Sequence, residues 1–178
     1  MASQVVRNFM KQQGFAEEPP ATCDMHFSGL YFQPRFVFTL VIAGILEHLY
    51  GRIVNHHYLE PAVLFFALSA VLWWNVALPA LNPFERFYNA VIAEQTLLPP
   101  APGPRRFAQA IAAAFMLVVG VSLLQGWTIT AYVFEAFLVA AFSMLLFGKF
   151  CLGAYIYHLL RGEFAFANAT LPWARPSN

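Results

Sequence analysis

Four apolar stretches dominate this chain, and each is about as long as the hydrocarbon core of a bilayer is thick. They cover about residues 31–53, 62–81, 107–127 and 129–149, and the last continues in apolar residues to 160. A helix needs about 20 apolar residues to cross a membrane. None of the stretches shows the alternation of polar and apolar residues that is typical of a barrel strand. The sequence therefore predicts an all-α fold, an integral membrane bundle of four transmembrane helices.

The composition agrees with a membrane location. Only 11% of the 178 residues are charged and 60% are hydrophobic, whereas soluble domains average about 25% charged residues. A net charge of +1 gives no basic surface for nucleic acid. Residues 1–30 lack the apolar core of a signal peptide. We therefore expect a tail at 1–30, a membrane domain at 31–162 and a second tail at 163–178.

The positive charges predict the orientation of the bundle. Nine of the ten Lys and Arg residues lie before the first stretch, between the second and third, or at the end of the fourth, and only Arg52 lies on the other side. Lysine and arginine are retained in the cytoplasm. We therefore expect a multi-pass membrane protein, in contact with lipid, with the N-terminus and the C-terminus both cytoplasmic.

The segment between the second and third stretches predicts a helix of its own. Asn82 can cap it, Glu85 stands three residues later, and Arg86 belongs to its polar side. Apolar residues recur through 84–98 at helical spacing, which is typical of an amphipathic helix at the cytoplasmic interface. A shorter one is expected at 3–13. Both are interpreted either as membrane-associated linkers or as docking surfaces for a partner.

Ionisable residues on the outer side are the first candidates for chemistry. Glu135 lies inside the fourth stretch, where a carboxyl group is a functional candidate by default. Its alternative role is a hydrogen bond to Gln125 or to a helix end. His48 on this side and His158 on the cytoplasmic side stand in aromatic-rich segments, where a histidine could ligate haem or a pigment. The outer cluster, which we expect to be solvated at the interface, comprises Glu47, His48, His56, His57 and Glu60.

Two cysteines and two histidines are expected on the cytoplasmic side, namely Cys23, His26, Cys151 and His158. Such a set could hold zinc. On one continuous helix, however, residues 151 and 158 would be about 10 Å apart along the axis, too far to bind the same ion, so we predict no metal site. The C-terminal end of such a helix would disfavour a thiolate at Cys151. Its role is therefore either packing beside Gly148 and Gly153 or that of a single reactive thiol.

The second half of the chain resembles a known family. The segments "NPFERFYN", "PRRFAQAIAAAFM" and "GKFCLGAYIYHLLRG" are similar to bacterial membrane proteins grouped as domain of unknown function 4395, over about residues 64–162. The resemblance implies a protein of the bacterial cytoplasmic (inner) membrane with several membrane helices and no established activity. Many members carry Cys-Leu-Gly-Cys and stand beside thioredoxin-like or sulfurtransferase proteins, which implies thiol or sulfur chemistry. Here Ala154 occupies the second cysteine position, so any such chemistry depends on Cys151 alone, or on Cys151 with Cys23.

We therefore expect a non-enzymatic accessory subunit or scaffold of a membrane complex, which associates with other membrane subunits or with copies of itself. Two alternatives remain open at this level. One is a cytoplasmic-face thiol or sulfur relay through Cys151, with a thioredoxin-like or sulfurtransferase partner. The other is a haem- or pigment-binding subunit ligated by His48 or His158. The residues name no substrate and no cofactor.

Overall fold

The computed structural model describes residues 4–15, 20–55, 57–91 and 100–174, and for residues 20–29, 55 and 89 it describes the backbone alone. All the longer regular elements within these ranges are α-helices. A π-helical turn at Gly51–Asn55 and a 3₁₀ turn at Pro79–Leu81 connect them. The helices are α1 (Gln4–Gln12), α2 (Pro20–Tyr50), α3 (Leu59–Ala77), α4 (Pro83–Val91), α5 (Gly103–Gln125), α6 (Thr128–Leu146), α7 (Leu152–Leu160) and α8 (Phe164–Ala169).

Four helical stretches are long and apolar enough to cross a membrane, which confirms the predicted fold class. They are Leu30–Val54, Leu59–Ala77, Gly103–Gln125 and Thr128–Leu146. Large apolar side chains such as Leu117, Leu124 and Phe137 remain exposed on the bundle surface. This distribution suits a protein whose outer surface is solvated by lipid rather than by water.

Helix α5 occupies the centre of the bundle and packs against α3, α6 and α7. Small residues allow it to approach α3 closely, since a Cβ added at Gly120 would lie 2.9 Å from the Phe66 ring. The hydroxyl of Ser69 on α3 donates to the carbonyl oxygen of Ala113 on α5 at 2.8 Å. Close helix–helix contact through small residues and interhelical hydrogen bonds is the usual way in which membrane helices associate.

The non-spanning helices all gather at one end of the bundle, which we call the terminal side. Helix α1 is bonded there to the segment after α8, since Nδ2 of Asn8 donates to the carbonyl oxygen of Leu171 at 2.9 Å. Helix α4 is bonded to α2 through Asn82 and Gln33, whose side chains are 3.0 Å apart. Among the described residues, the opposite side carries the short connections between α2 and α3 and between α5 and α6.

The fourth membrane helix is shorter than expected, and the prediction that it continues to residue 160 is wrong. Helix α6 ends at Leu146, and α7 begins at Leu152. Lys149 adopts a left-handed conformation with φ 53°, and the N–H of Phe150 donates to the carbonyl oxygen of Met144 at 3.1 Å. A Cβ at position 148 would lie 2.8 Å from that same oxygen, so the turn favours glycine there.

The two predicted amphipathic helices have different outcomes. The apolar residues of α1, Val6, Phe9 and Met10, are buried in a cluster with Leu30 and Tyr31 of α2. The N-terminal helix is therefore packed onto its own chain, so its apolar face does not serve as a docking surface. Helix α4 forms as predicted up to Val91, whereas 92–99 lie outside the described residues. Its Asn82 cap is present, since Oδ1 accepts from the N–H of Phe84 at 3.0 Å.

Candidate functional site

A cavity of about 510 Å³ lies between the helices and extends towards the terminal side. Its walls come from α1, α2, α3, α5, α6 and α7, and most of the lining side chains are apolar. The polar lining residues belong to the helix segments nearest the terminal side, whereas the apolar ones extend into the bundle. The polar lining residues are Gln13, Gln33, Arg105, Gln109 and Cys151. A space with this distribution of groups suits an elongated molecule that is apolar along most of its length.

Arg105 is the cation of this cavity. It stands in the first turn of α5, is 5% exposed, and its Nη2 lies 3.4 Å from the carbonyl oxygen of Leu30. The nearest carboxylate is that of Glu85 on α4, 3.9 Å from the guanidinium, which is longer than a hydrogen bond. Burial raises the pKa of Glu85, and the charge on Arg105 opposes that shift. The cavity thus contains a buried guanidinium that is only loosely paired.

Cys151 lies at the wall of the cavity and has a different setting from the predicted one. It occupies the N-cap position of α7 instead of lying at the C-terminal end of a long helix, because the chain turns at Gly148 and Lys149. Burial raises the pKa of the Cys151 thiol, and four contacts oppose that shift: the backbone at Gly153 and Ala154, the side chain of Gln13 and the charge of Arg105. A thiol in this position is protonated at neutral pH, although its neighbours would stabilise a thiolate.

Helix α1 is bonded to the start and to the last turn of α7 through Gln12. The side-chain Oε1 atom of Gln12 accepts from the backbone N–H of Cys151 at 2.9 Å. The main-chain carbonyl oxygen of Gln12 lies 3.1 Å from Nε2 of His158. The other ring nitrogen of His158 is 2.6 Å from Oε2 of Glu163. The hydrogen bond to His158 is the main cause of a lowered pKa at Glu163. His158 thus has a structural role that holds α1, α7 and the segment before α8 together.

The predicted intramembrane carboxylate Glu135 is bonded to His48, and not to Gln125 or to a helix end. Nδ1 of His48 lies 2.8 Å from Oε1 of Glu135, and the two side chains are 1% and 3% exposed. The imidazole stacks on Tyr132 with ring centroids 4.8 Å apart and meets the edge of Tyr58. Because His48 is buried, the expectation that it is solvated at the interface is wrong.

The other predicted candidates do not assemble into a site. Glu47, His57 and Glu60 are exposed, and His56 lies outside the described residues. Within the described side chains, no three His, Cys, Asp or Glu residues are placed to hold a metal ion; those of Cys23 and His26 fall outside that set. Arg86 is exposed, as predicted for the polar side of α4. Glu85 is buried and turned towards Arg105, which differs from a surface capping residue.

Haem or pigment ligation does not fit the two histidines as they are placed. Both ring nitrogens of His158 are within hydrogen-bond distance of protein atoms. Beside His48 lies a space of only about 10 Å³, whereas His48 itself is enclosed by Tyr58 and Tyr132. Neither position leaves room for a macrocycle beside a free nitrogen.

Arg105 and the glutamines of the cavity are site residues that were not predicted from the sequence. Arg105 was counted among the positive charges that face the cytoplasm, and nothing in "PRRFAQ" distinguishes a buried arginine from an exposed one. Its neighbour Arg106 is bonded instead to the end of α3. Gln33 and Gln109 gave a weak signal, since each places an amide near the end of a membrane helix, where polar groups are costly unless they are paired.

The fold and the cavity define a class, that of polytopic helical membrane proteins with an internal cavity near one membrane surface. The comparison with protein families gives the relationship. A family model described as domain of unknown function (DUF4395) matches residues 29–161, so this chain belongs to that family, and the match extends through the first membrane helix. No curated protein and no solved structure matches the chain.

Proposed function

We propose that this protein is a non-enzymatic binding subunit of the bacterial cytoplasmic membrane and that its cavity holds a mainly apolar small molecule. The cavity carries the proposal. Its volume of about 510 Å³ falls in the range of small-molecule sites, about 300–1,000 Å³. Its long walls offer apolar contacts from residues such as Phe115, Leu138 and Phe142.

The rim of the cavity supports entry from the lipid. Phe137, Ala140 and Met144 all line the cavity, recur along one side of α6, and are exposed on the bundle surface. An apolar molecule dissolved in the bilayer could therefore enter sideways past α6, without crossing water. The positive charges support an orientation in which the terminal side faces the cytoplasm.

Binding without catalysis is supported by the groups around the cavity. Arg105 and Cys151 are the ionisable residues among its described lining side chains. Burial raises the pKa of Cys151, so its thiol is protonated at neutral pH, and an arginine is a poor proton acceptor. A general base for catalysis is therefore lacking among the described residues that line the cavity.

The test uses the purified full chain in nanodiscs of phosphatidylcholine and oleyl alcohol as the probe. Native mass spectrometry of the released protein counts the bound molecules. Ala141→Trp fills the cavity from α6, whereas Ala136→Trp puts the same side chain on the exposed surface of the same helix. We expect the wild type and Ala136→Trp to bind one molecule, and Ala141→Trp to lose binding at least about tenfold. Equal binding by all three chains, or a wild type that binds neither oleyl alcohol nor its anionic counterpart oleate, would refute the proposal.

The proposed orientation has its own test. A reporter inserted at Arg52 should lie outside the cell, and a reporter fused after the C-terminal tail should lie in the cytoplasm. A cytoplasmic signal from the insertion at Arg52 would contradict it.

Membership of a larger complex, or self-association, is a separate part of the proposal. It predicts that mild detergent extracts the protein together with a partner or a second copy, and a single monodisperse monomer would count against it.

Thiol exchange at Cys151 is the second candidate function, and the position of this residue at the N-terminus of α7 favours it. Burial raises the pKa of the thiol, but the backbone at Gly153 and Ala154 and the charge on Arg105 oppose that shift, and contacts of this kind are found at reactive cysteines. A thioredoxin-like or sulfurtransferase partner could reach it from the terminal side once α1 moves. Cys151→Ser should then abolish trapping of that partner as a mixed disulfide, and unchanged trapping would dispose of this candidate.

A further inference from the structure

Two adjacent arginines at the start of α5, Arg105 and Arg106, differ in how many of their N–H groups make hydrogen bonds. Arg106 donates from Nε and from Nη2 to the carbonyl oxygen of Val76, at 2.9 and 2.6 Å, and so binds the end of α3. Arg105 is buried and, within the part of the chain that the structure describes, makes one hydrogen bond, of 3.4 Å, to the carbonyl oxygen of Leu30. Its Nε has no partner among the described residues. A guanidinium carries five N–H donors, so Arg105 retains most of its donor capacity.

The only carboxylate near Arg105 in the described chain is a poor counterion. Glu85 lies 3.9 Å away, and its nearer oxygen makes no hydrogen bond. Burial raises the pKa of Glu85, which favours the neutral acid. An unpaired cation in a low-dielectric setting is costly, and membrane proteins retain one chiefly where it has a function.

We infer that the ligand of the cavity is a single-chain amphiphile with an anionic oxygen head group, and that Arg105 binds that head group. The inference rests on the proposed function, since it names the class of molecule that the cavity takes. The planar guanidinium matches a carboxylate or phosphate in geometry and charge. Gln33 and Gln109, also at the polar end, line the cavity and provide amide groups beside the head.

The remainder of the cavity sets the shape of the ligand. From Arg105 the lining continues through Ala108, Ala112 and Phe115 along α5, and through Phe142 and Leu138 along α6. One apolar chain can follow these walls into the bundle while its head remains at the terminal side. Long-chain carboxylates and lysophosphatidates share this chemistry, and both are soluble in the bilayer from which the cavity is entered.

The experiment compares head groups on one chain length. Oleate, oleoyl lysophosphatidate and oleyl alcohol are each added to nanodiscs of phosphatidylcholine that contain the full protein, and native mass spectrometry measures the occupancy. A charge-assisted hydrogen bond in a buried site favours the anion, so we expect the wild type to prefer one or both anionic probes over the alcohol by about tenfold. Which anion binds better then identifies the source, carboxylate or phosphate.

Four variants separate the head-group contact from folding. Arg105→Gln should abolish the preference and leave binding of the alcohol unchanged, and Arg105→Lys should keep part of it. Glu85→Gln removes the competing carboxylate and should strengthen binding of the anion. Arg106→Gln, next in sequence and already bonded to Val76, is the matched control and should retain the full preference.

The outcomes distinguish this inference from the proposed function. If the wild type binds the alcohol as tightly as it binds the anions, the inference fails and the proposed function stands. If no probe binds, both fail. If Arg105→Gln folds and keeps the preference, or if Glu85→Gln and Arg105→Lys leave anion binding unchanged, Arg105 does not bind the head group.

Discussion

The bonded pair of His48 and Glu135 predicts a stability pattern that few buried polar groups would give. His48→Phe keeps the ring that stacks on Tyr132, and Glu135→Met keeps the length of the side chain. Each single substitution leaves the other polar group buried without its partner, at a cost of about 1–3 kcal/mol, and more if that group is charged. Breaking a buried ion pair from one side costs about 3–5 kcal/mol.

The double variant removes both polar groups together. Replacing a buried pair by apolar residues of similar volume is often neutral or stabilising, so the double variant should lie within about 1 kcal/mol of the wild type. Each single variant should lose about 2–3 kcal/mol. The two substitutions are thus expected to be coupled by at least about 3 kcal/mol. Average interhelical hydrogen bonds in membranes are worth only about 0.6 kcal/mol, so a coupling this large would identify an ionic or otherwise exceptional pair.

The free energy of unfolding can be measured in mixed micelles as the mole fraction of dodecyl sulfate rises, with tryptophan fluorescence as the signal. Glu47→Met is the matched control, because Glu47 is exposed and adjacent to His48. It should change the stability by no more than about 0.5 kcal/mol. Additive effects of His48→Phe and Glu135→Met, with the double variant the least stable of the three, would refute the reasoning.

Three further outcomes follow from the terminal side. A Cβ at Gly153 would lie 2.6 Å from the Cβ and 2.7 Å from the Cα of Ala108, so Gly153→Ala should lower the melting temperature through a cost of about 1–3 kcal/mol. Adding Ala108→Gly should recover only part of the loss, because the contact with the Cα remains, and an unchanged melting temperature of Gly153→Ala would contradict this. Burial raises the pKa of Cys151, so, in a chain that lacks the other cysteine, a soluble maleimide should label it slowly at neutral pH and faster with alkali or on unfolding. Rapid labelling of the folded protein at pH 7 would argue otherwise. The hydrogen bond to His158 lowers the pKa of Glu163, so the stability it contributes is present above the ordinary glutamate pKa and lost as the pH falls through the lowered value. Glu163→Gln should therefore be less stable than the wild type at neutral pH, and a thermal melt in strong acid should show the difference vanish.

The fold class could be predicted from the sequence because one physical requirement decides it. Backbone groups in a bilayer must be bonded within the helix, and the lengths of the apolar stretches then follow from the thickness of the membrane. The break after α6 was not predicted, because residues 147–160 are as apolar as a membrane helix. The available signal was Gly148 followed by Lys149, a pair that permits a left-handed turn, whereas we had interpreted the glycine as a packing residue.

The site could be predicted much less well than the fold. His48 and Glu135 are 87 residues apart in sequence, and no local pattern indicates that their helices meet at that level. Cys151 was identified as a candidate, but its electrostatic setting was predicted with the wrong sign, because an N-terminus replaces a C-terminus once the helix breaks. Arg105 is one of the nine positive residues expected on the cytoplasmic side, and its neighbours in sequence do not indicate that it is buried. These errors share one cause, which is that tertiary contacts decide which polar residues are buried.

The contact between Gln12 and Cys151 also has a meaning for how the protein is made. Their bond joins residues 139 positions apart, so the ribosome must add that many residues after Gln12 before this bond can form. At about 5–20 residues per second, this takes roughly 7–28 seconds. Throughout that interval α1 can already contact Leu30 and Tyr31 of α2, but Cys151 and Ala154, which complete its apolar cluster, are still missing. The packing of α1 is therefore completed only when the last helices are in place, long after its own residues have left the ribosome.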